Sequence, residues 1–226
     1  MLLAIDTSTE TASVALAAEG ELRCELSWVA GQNHVSELMP AIMAVLAQRR
    51  AGFNDLSALG VAIGPGSFNG VRVAVGTAKG LALALKIPAY GVSTLEVEAW
   101  AHAPCGGDIC ALADAGRGEV ATALFSARGG WRRIAEEHIT TVVALAREAP
   151  DDALFCGRIT PRVLSELRDV FGEGVRVARG AAGLRRAGYL AELAWRRVQM
   201  GAPDEAPEMQ PLYLRRPAIT LHKFME

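Results

Sequence analysis

Leu59-Gly-Val-Ala-Ile63 runs straight into Gly64-Pro-Gly-Ser-Phe-Asn-Gly-Val-Arg72, and the reading of that junction decides the fold. The short apolar run has the length of a buried strand, and the glycines with proline mark a turn. Beyond the turn a helix is expected from about Asn69 to Leu85, then Pro88 and a strand over Ala89–Val92. Strand, crossover helix and strand in that order imply parallel pairing, and hence an α/β domain.

On the N-terminal side, three short strands are expected at Leu2–Ile5, Ser13–Ala18 and Glu21–Ser27, the last two joined by a Glu19-Gly20 hairpin turn. A helix from about Asn33 to Arg50 follows, capped by Asn33 or Ser36, with Pro40 tolerable only near its first turn. Leu38, Ile42, Val45 and Leu46 form one apolar side, which Met39 and Met43 widen. In the helix after the turn, Gly70, Ala74, Ala78 and Ala82 recur every fourth residue, a small-residue stripe that permits close approach. Val71, Val75, Leu81 and Leu85 add bulk elsewhere, so this helix needs two neighbours: the sheet, and a second helix from this chain or another.

On the C-terminal side, a helix over Leu95–His102 gives way to the breaker-rich Ala103-Pro-Cys-Gly-Gly107, and the chain is expected to divide into residues 1–104 and 105–226. The second part restarts with strands at Ile109–Ala113, Glu119–Phe125 and Trp131–Ile139. It continues with a helix Val142–Glu148, a strand Ala153–Cys156, a helix Pro161–Val170, a strand Val175–Val177 and a helix Ala187–Met200. That repeats the logic of the first half, although no sequence repeat aligns the two. The tail carries Pro203, Pro207, Pro211 and Pro217, cannot be one helix, and is expected to wrap or fray.

The 226 residues are 51% apolar and can bury a sizeable core; a formal charge of −2 gives no overall field toward nucleic acid or anionic lipid. Cys24, Cys105, Cys110 and Cys156 are scattered rather than arrayed as a disulfide framework, and nothing ahead of Met1 to Asp6 reads as a signal peptide. The expected compartment is a reducing cytoplasm. The longest apolar stretch, Val71–Leu85, is interrupted by Arg72 and Lys79 and is too short for a membrane span.

A glycine turn opening a helix can cradle an anion, but neither GxxxxGK[ST] nor GxGxxG is present, because Asn69 stands where the last glycine of either pattern would fall. A tight structural turn is the simpler reading. Asp6-Thr-Ser-Thr9, after a strand, resembles the phosphate loop of actin and sugar kinases, although Ser and Thr also favour turns for local reasons. His102, Cys105 and Cys110 lack the second ligand pair of a metal site. Ser67 is not in G-x-S-x-G, and His34, His102, His138 and His222 show no local relation to it, which argues against triad hydrolysis. His34 and Glu37 suit capping or an interface; Asp114, Arg117 and Glu119 suit a loop clamp or a solvated turn.

Taken in order, the motifs resemble those of the TsaB, or YeaZ, family of bacterial tRNA threonylcarbamoyladenosine biosynthesis proteins. The matching pieces are Leu3-Ala-Ile-Asp-Thr-Ser-Thr9 with Ser13-Val-Ala-Leu16, His34-Val-Ser-Glu37, the Gly64–Arg72 string, and Ala78-Lys-Gly-Leu81. Val92-Ser-Thr-Leu-Glu96, Asp114-Ala-Gly-Arg-Gly-Glu-Val120 and Pro211-Leu-Tyr-Leu-Arg215 complete the set. Asn69 stands where the family usually has threonine, and Gly116 lengthens a loop that is commonly Asp-Ala-Arg.

The resemblance implies the actin-like (ASKHA) fold, two RNase H-like lobes with mixed five-stranded sheets flanked by helices. The paralogous catalytic subunit TsaD carries a V-N-H-x-E-x-H motif whose histidines bind metal; here Thr94 and Glu98 hold those positions, which implies no metal and no catalysis. It further implies a scaffold that needs no cofactor, docks its first-lobe helices on TsaD or on a second copy, works with the ATPase TsaE, and meets tRNA only within that complex. The interface residues expected are His34, Glu37, Leu38, Met39, Ile42, Gly70, Arg72, Ala74, Ala78 and Ala82. Two rival readings remain open: an ATP-dependent phosphotransferase or ATPase acting alone through Asp6–Thr9, and a homodimeric interaction module with another client.

Overall fold

The computed structural model describes residues 1–215, so Pro217 and His222 lie outside the described residues. Strand β1 (Leu2–Asp6) is apolar on both faces because both are covered: Leu3 and Ile5 face one cluster, Leu2 and Ala4 the other. β2 (Thr11–Ala18) and β3 (Glu21–Val29) pair antiparallel beside it through a turn in which Glu19 and Gly20 have φ of 54° and 82°. The chain then passes through α1 (His34–Gln48) to β4 (Ala58–Ala62) and through α2 (Phe68–Leu85) to β5 (Ala89–Val92). β4 and β5 add in parallel, giving the order β3-β2-β1-β4-β5. Because α1 starts at His34, Pro40 falls in its second turn, on the exposed side.

After α3 (Thr94–Trp100) the same programme repeats: β6 (Asp108–Gly116), β7 (Glu119–Ser126), β8 (Arg132–Thr140), α4 (Val142–Leu145), β9 (Leu154–Gly157), α5 (Pro161–Phe171), β10 (Arg176–Val177) and α6 (Ala187–Gln199). The second sheet runs β10-β9-β6-β7-β8, the first sheet's order with β6 in the place of β1. Two mixed five-stranded sheets of one topology, each with helices on both faces, make the actin-like fold. No helix among the described residues is long and apolar enough to cross a membrane.

The halves exchange their last helices across the expected division at 104/105. That division separates the ten strands five and five, but Leu95 and Ala99 of α3 pack on Ile109, Ala111, Ala123 and Phe125 of the second sheet. Reciprocally, Leu190, Ala191, Leu193 and Ala194 of α6 cover Leu2, Ala4, Ala15 and Ala17 of the first. Each helix carries its own apolar stripe, so the hydrophobic effect is satisfied only when both have crossed.

The tail wraps rather than frays as far as residue 215. Ala89 N–H donates to Asp204 Oδ1 at 2.9 Å and Gly91 N–H to Glu205 Oε2 at 2.8 Å, while Glu205 N–H donates to Ala89 O at 3.0 Å. Leu212 N–H reaches Ile63 O at 2.7 Å, Tyr213 stacks on Phe68, and Arg215 pairs with Glu119 in the second half. The outer edge of β5 is thereby covered without a further strand.

Candidate functional site

β1 and β6 are the central strands of their sheets, and an aspartate at the end of β1 and another two residues before the end of β6 each accept an N–H two residues on. Asp6 Oδ1 accepts from Ser8 N–H at 2.8 Å, and Asp114 Oδ1 from Gly116 N–H at 2.9 Å. A cleft of about 420 Å³ opens between the two loops, lined by Ser8, Thr9, Ser67, Glu98, Arg158 and Arg185 among others.

The glycine turn forms the floor of the Asp6–Thr9 loop. Ser67 N–H donates to Ser8 O at 2.7 Å, and Thr7 Oγ1 donates to Gly70 O at 2.7 Å. A Cβ on Gly66 would lie 2.3 Å from Ser8 O, and one on Gly70 only 2.0 Å from Thr7 O, so the two segments touch at backbone distance. Ser67 caps α2 by accepting Gly70 N–H at 3.3 Å. Gly64–Arg72 is therefore built against the neighbouring loop, with Ser67 N–H spent on Ser8 O and Gly70 N–H on the Ser67 cap, so the turn has fewer N–H groups to offer an anion.

Arg185, just ahead of α6, fills the rest. Its Nε donates to Asp6 Oδ2 at 2.5 Å, Nη1 to Glu98 Oε1 at 3.1 Å, and Nη2 to Ser8 Oγ at 2.8 Å and Thr9 Oγ1 at 3.1 Å. Asp6 is 2% exposed, and Ser8 Oγ occupies its other oxygen at 2.5 Å, so both carboxylate oxygens are engaged from within the chain. The polar atoms that would face a phosphate and its metal already hold a guanidinium.

Two carboxylates share that single cation. Burial pushes the Glu98 carboxyl up to about 7 against the opposing pull of Arg185, with the Asp6 charge adding to the rise. Burial disfavours the Arg185 charge, but Asp6 and Glu98 outweigh it and raise its pKa further. Thr94, the other position matched to a ligand histidine, donates its hydroxyl to Pro65 O on the glycine turn. Thr94 and Glu98 thus serve contacts within the chain.

The remaining sequence candidates disperse. His102 and Cys105 sit at a short turn beyond α3, whereas Cys110 is buried in β6 against Thr122 Oγ1 and pushed up to about 12 by burial, a neutral core thiol. No group of three or more His, Cys, Asp or Glu side chains able to hold a metal is found among the described residues. Of the two readings of Asp114, Arg117 and Glu119, a clamp or a solvated turn, the clamp is not formed: Glu119 pairs with Arg215 and Asp114 Oδ1 accepts Gly116 N–H. His34 Nε2 bonds Thr9 O at 2.6 Å and Glu37 accepts from Trp28 Nε1 at 2.8 Å, so these two bind their own lobe.

The helix faces require a correction. Leu38, Ile42, Gly70, Ala74, Ala78 and Ala82 are all buried in the chain's own core between the first sheet and α1 and α2. The four-residue stripe answers the sheet, where close backbone approach is also needed. Of the expected interface set, Met39 and Arg72 are exposed. The outward ridge consists instead of Val35, Met39 and Met43 on α1 and Gly76, Gly80 and half-buried Val73 on α2; nothing lies within 4 Å of a Cβ placed on either glycine.

Arg185 escaped the sequence reading. The available signal was Arg185-Arg186 immediately before a helix N-terminus, where the dipole disfavours cations and both must find carboxylates elsewhere. Arg186 finds Glu25.

A family model described as "TsaD: tRNA N6-adenosine threonylcarbamoyltransferase" matches residues 28–221. Two relatives named tRNA threonylcarbamoyladenosine biosynthesis protein TsaB are similar. The Haemophilus influenzae protein is 31% identical, covering 95% of this chain and 93% of its own, and the Bacillus subtilis protein is 34% identical, covering 76% of each. Among solved structures, YeaZ from Pseudomonas aeruginosa superposes with a TM-score of 0.79 at 30% identity, covering 94% of this chain and 99% of its own. A P. aeruginosa protein described as similar to peptidase YeaZ gives 0.82 at 29% identity, covering 95% and 99%. With the duplicated topology, the glycine turn and end-to-end similarity in agreement, the chain belongs to the TsaB (YeaZ) family.

Proposed function

We propose that the protein takes part in forming tRNA threonylcarbamoyladenosine as a non-catalytic subunit. It activates a TsaD subunit that transfers the threonylcarbamoyl group to the adenosine beside the anticodon, with the ATPase TsaE in the same complex. The observation that carries this reading is Arg185 in the Asp6 loop: the cleft that would serve nucleotide chemistry in an actin-like enzyme is tied up by side chains of this chain. Thr94 and Glu98 offer one hydroxyl and one carboxylate, both engaged, where a metal enzyme of this kind uses two imidazoles.

What remains is a scaffold, and its docking face is the ridge of Val35, Met39 and Met43 beside Val73, Gly76 and Gly80. Two glycines one turn apart let a facing helix approach closely, and methionines adapt to whatever covers them. The same ridge serves a second copy when TsaD is absent, and tRNA is reached only through the complex. Mixing with TsaD and measuring size tests this: a 1:1 or higher complex with TsaD is expected, and Met43→Arg abolishes it while leaving the fold intact. Tight binding of Mg-ATP to the isolated protein, lost in Asp6→Ala, would instead favour the phosphotransferase reading.

A further inference from the structure

Along α2, the segment 204–213 leaves a trough in two parts. One part, of about 480 Å³, lies beside Val75 and Gly76; the other, of about 690 Å³, lies beside Ala82 and Leu83. Val75 and Gly76 recur as Ala82 and Leu83 seven residues on, about 10 Å or two helical turns along the axis. Lys79 stands between the two parts, its Nζ donating to Pro207 O at 3.2 Å and Met209 O at 3.3 Å. Leu83 is 83% exposed at the rim.

The trough is also charged. Arg72, Lys79 and Lys86 fall at seven-residue spacing and so line one side of α2. From Phe68 to Lys86 there is no Asp or Glu, and among the described residues none of the three cations pairs with a carboxylate. Among the described residues the one lining carboxylate is Asp204, whose Oδ1 accepts Ala89 N–H and Ala206 N–H at 2.9 Å each; its charge leaves the trough with an excess of positive charge. Three cations against one carboxylate stand out on a chain whose formal charge is −2.

We propose that this trough receives an acidic amphipathic helix of the partner subunit. Two apolar side chains seven residues apart on that helix enter the two parts, and an Asp or Glu between them meets Lys79. Apolar anchors at i and i+7 are how a helix seats in a groove, and complementary charge steers it there. This deepens the docking proposed above and rests on it, adding the chemistry of the partner's contact and extending the surface from Gly76 and Gly80, which the ridge shares, to Leu83 and the tail.

The test is titration calorimetry of the full chain with TsaD from the same organism, at low and at physiological salt. Arg72→Glu with Lys86→Glu, and separately Leu83→Ser, are expected to weaken binding at least tenfold. The wild-type affinity falls with salt, and that of the charge-reversed variant does so far less. All three positions are exposed, so the variants fold, which circular dichroism checks. A complex that forms, is broken by Met43→Arg, and is unchanged within twofold by the trough variants overturns this proposal and leaves the docking ridge standing. Failure of any complex to form overturns both. Tighter binding after deletion of residues 216–226 overturns it as well, because the chain's own end would then be the occupant.

Discussion

Arg185 Nε donates to Asp6 Oδ2 at 2.5 Å across 179 positions of sequence, joining the segment before α6 to the end of β1. Both groups are almost fully withdrawn from water, with side-chain exposures of 10% and 2%. Removing one partner alone strands a buried charge. Arg185→Ala is expected to cost about 3–5 kcal/mol in denaturant unfolding. Arg185→Met combined with Asp6→Asn recovers part of that, because the amide oxygen still accepts from Ser8 and the buried Glu98, deprived of its cation, is left to take up a proton. Equal losses in the single and double variants would mean that the pair is not the source of the effect.

Glu98 makes stability depend on pH. Its folded pKa of about 7 lies above the ordinary value of 4.5, so between those values the native state holds a proton that the unfolded chain has released. The contribution is complete below about pH 4.5, falls as pH rises toward 7, and is gone above it. Its size is on the order of 1–3 kcal/mol. Glu98→Gln, neutral throughout, removes this slope from a pH series of urea midpoints; an unchanged slope would assign the dependence to other groups.

Gly66 and Gly70 hold the glycine turn against the Asp6 loop at distances no side chain permits. The obstructing atoms are backbone oxygens, which cannot rotate aside. Gly70→Ala is expected to destabilise by about 3 kcal/mol through overpacking. Gly76→Ala on the same helix, facing open space, is expected to be neutral or to stabilise by up to about 1 kcal/mol. Thermal melts of the two variants distinguish them at once.

Ala78 and Met43 separate the core from the proposed docking face. Ala78 is 0% exposed and Met43 58%. Ala78→Arg is expected to prevent folding, since a cation would enter the space between α2 and the first sheet. Met43→Arg should give a folded protein with a Tm within a few degrees of wild type and no affinity for TsaD. A folded Ala78→Arg protein would show that α2 can lift from the sheet.

Much of the fold was legible because its signals are local. Gly64-Pro-Gly places a turn ahead of a helix, Glu19-Gly20 places a hairpin, and apolar runs such as Leu2–Ile5 place buried strands. What escaped depends on distance. Nothing near Arg185 names Asp6 as its partner, and nothing in α3 or α6 says which sheet each will cover. The α2 helix is the instructive failure: its wheel carries small residues on two sides, Gly70 to Ala82 and Gly76 with Gly80, and periodicity alone does not say which one meets the protein's own sheet. The exposed pair belongs to the docking ridge proposed above.

The central claim is that this chain assists the chemistry and does not perform it. The direct measurement is threonylcarbamoyl transfer to tRNA from the threonylcarbamoyl adenylate, by this protein alone, by TsaD alone and by both together. The account predicts no modification from this protein alone, and a rate with both that exceeds that of TsaD alone and falls back to it with Met43→Arg. Modification of tRNA by this protein in the absence of TsaD would contradict it.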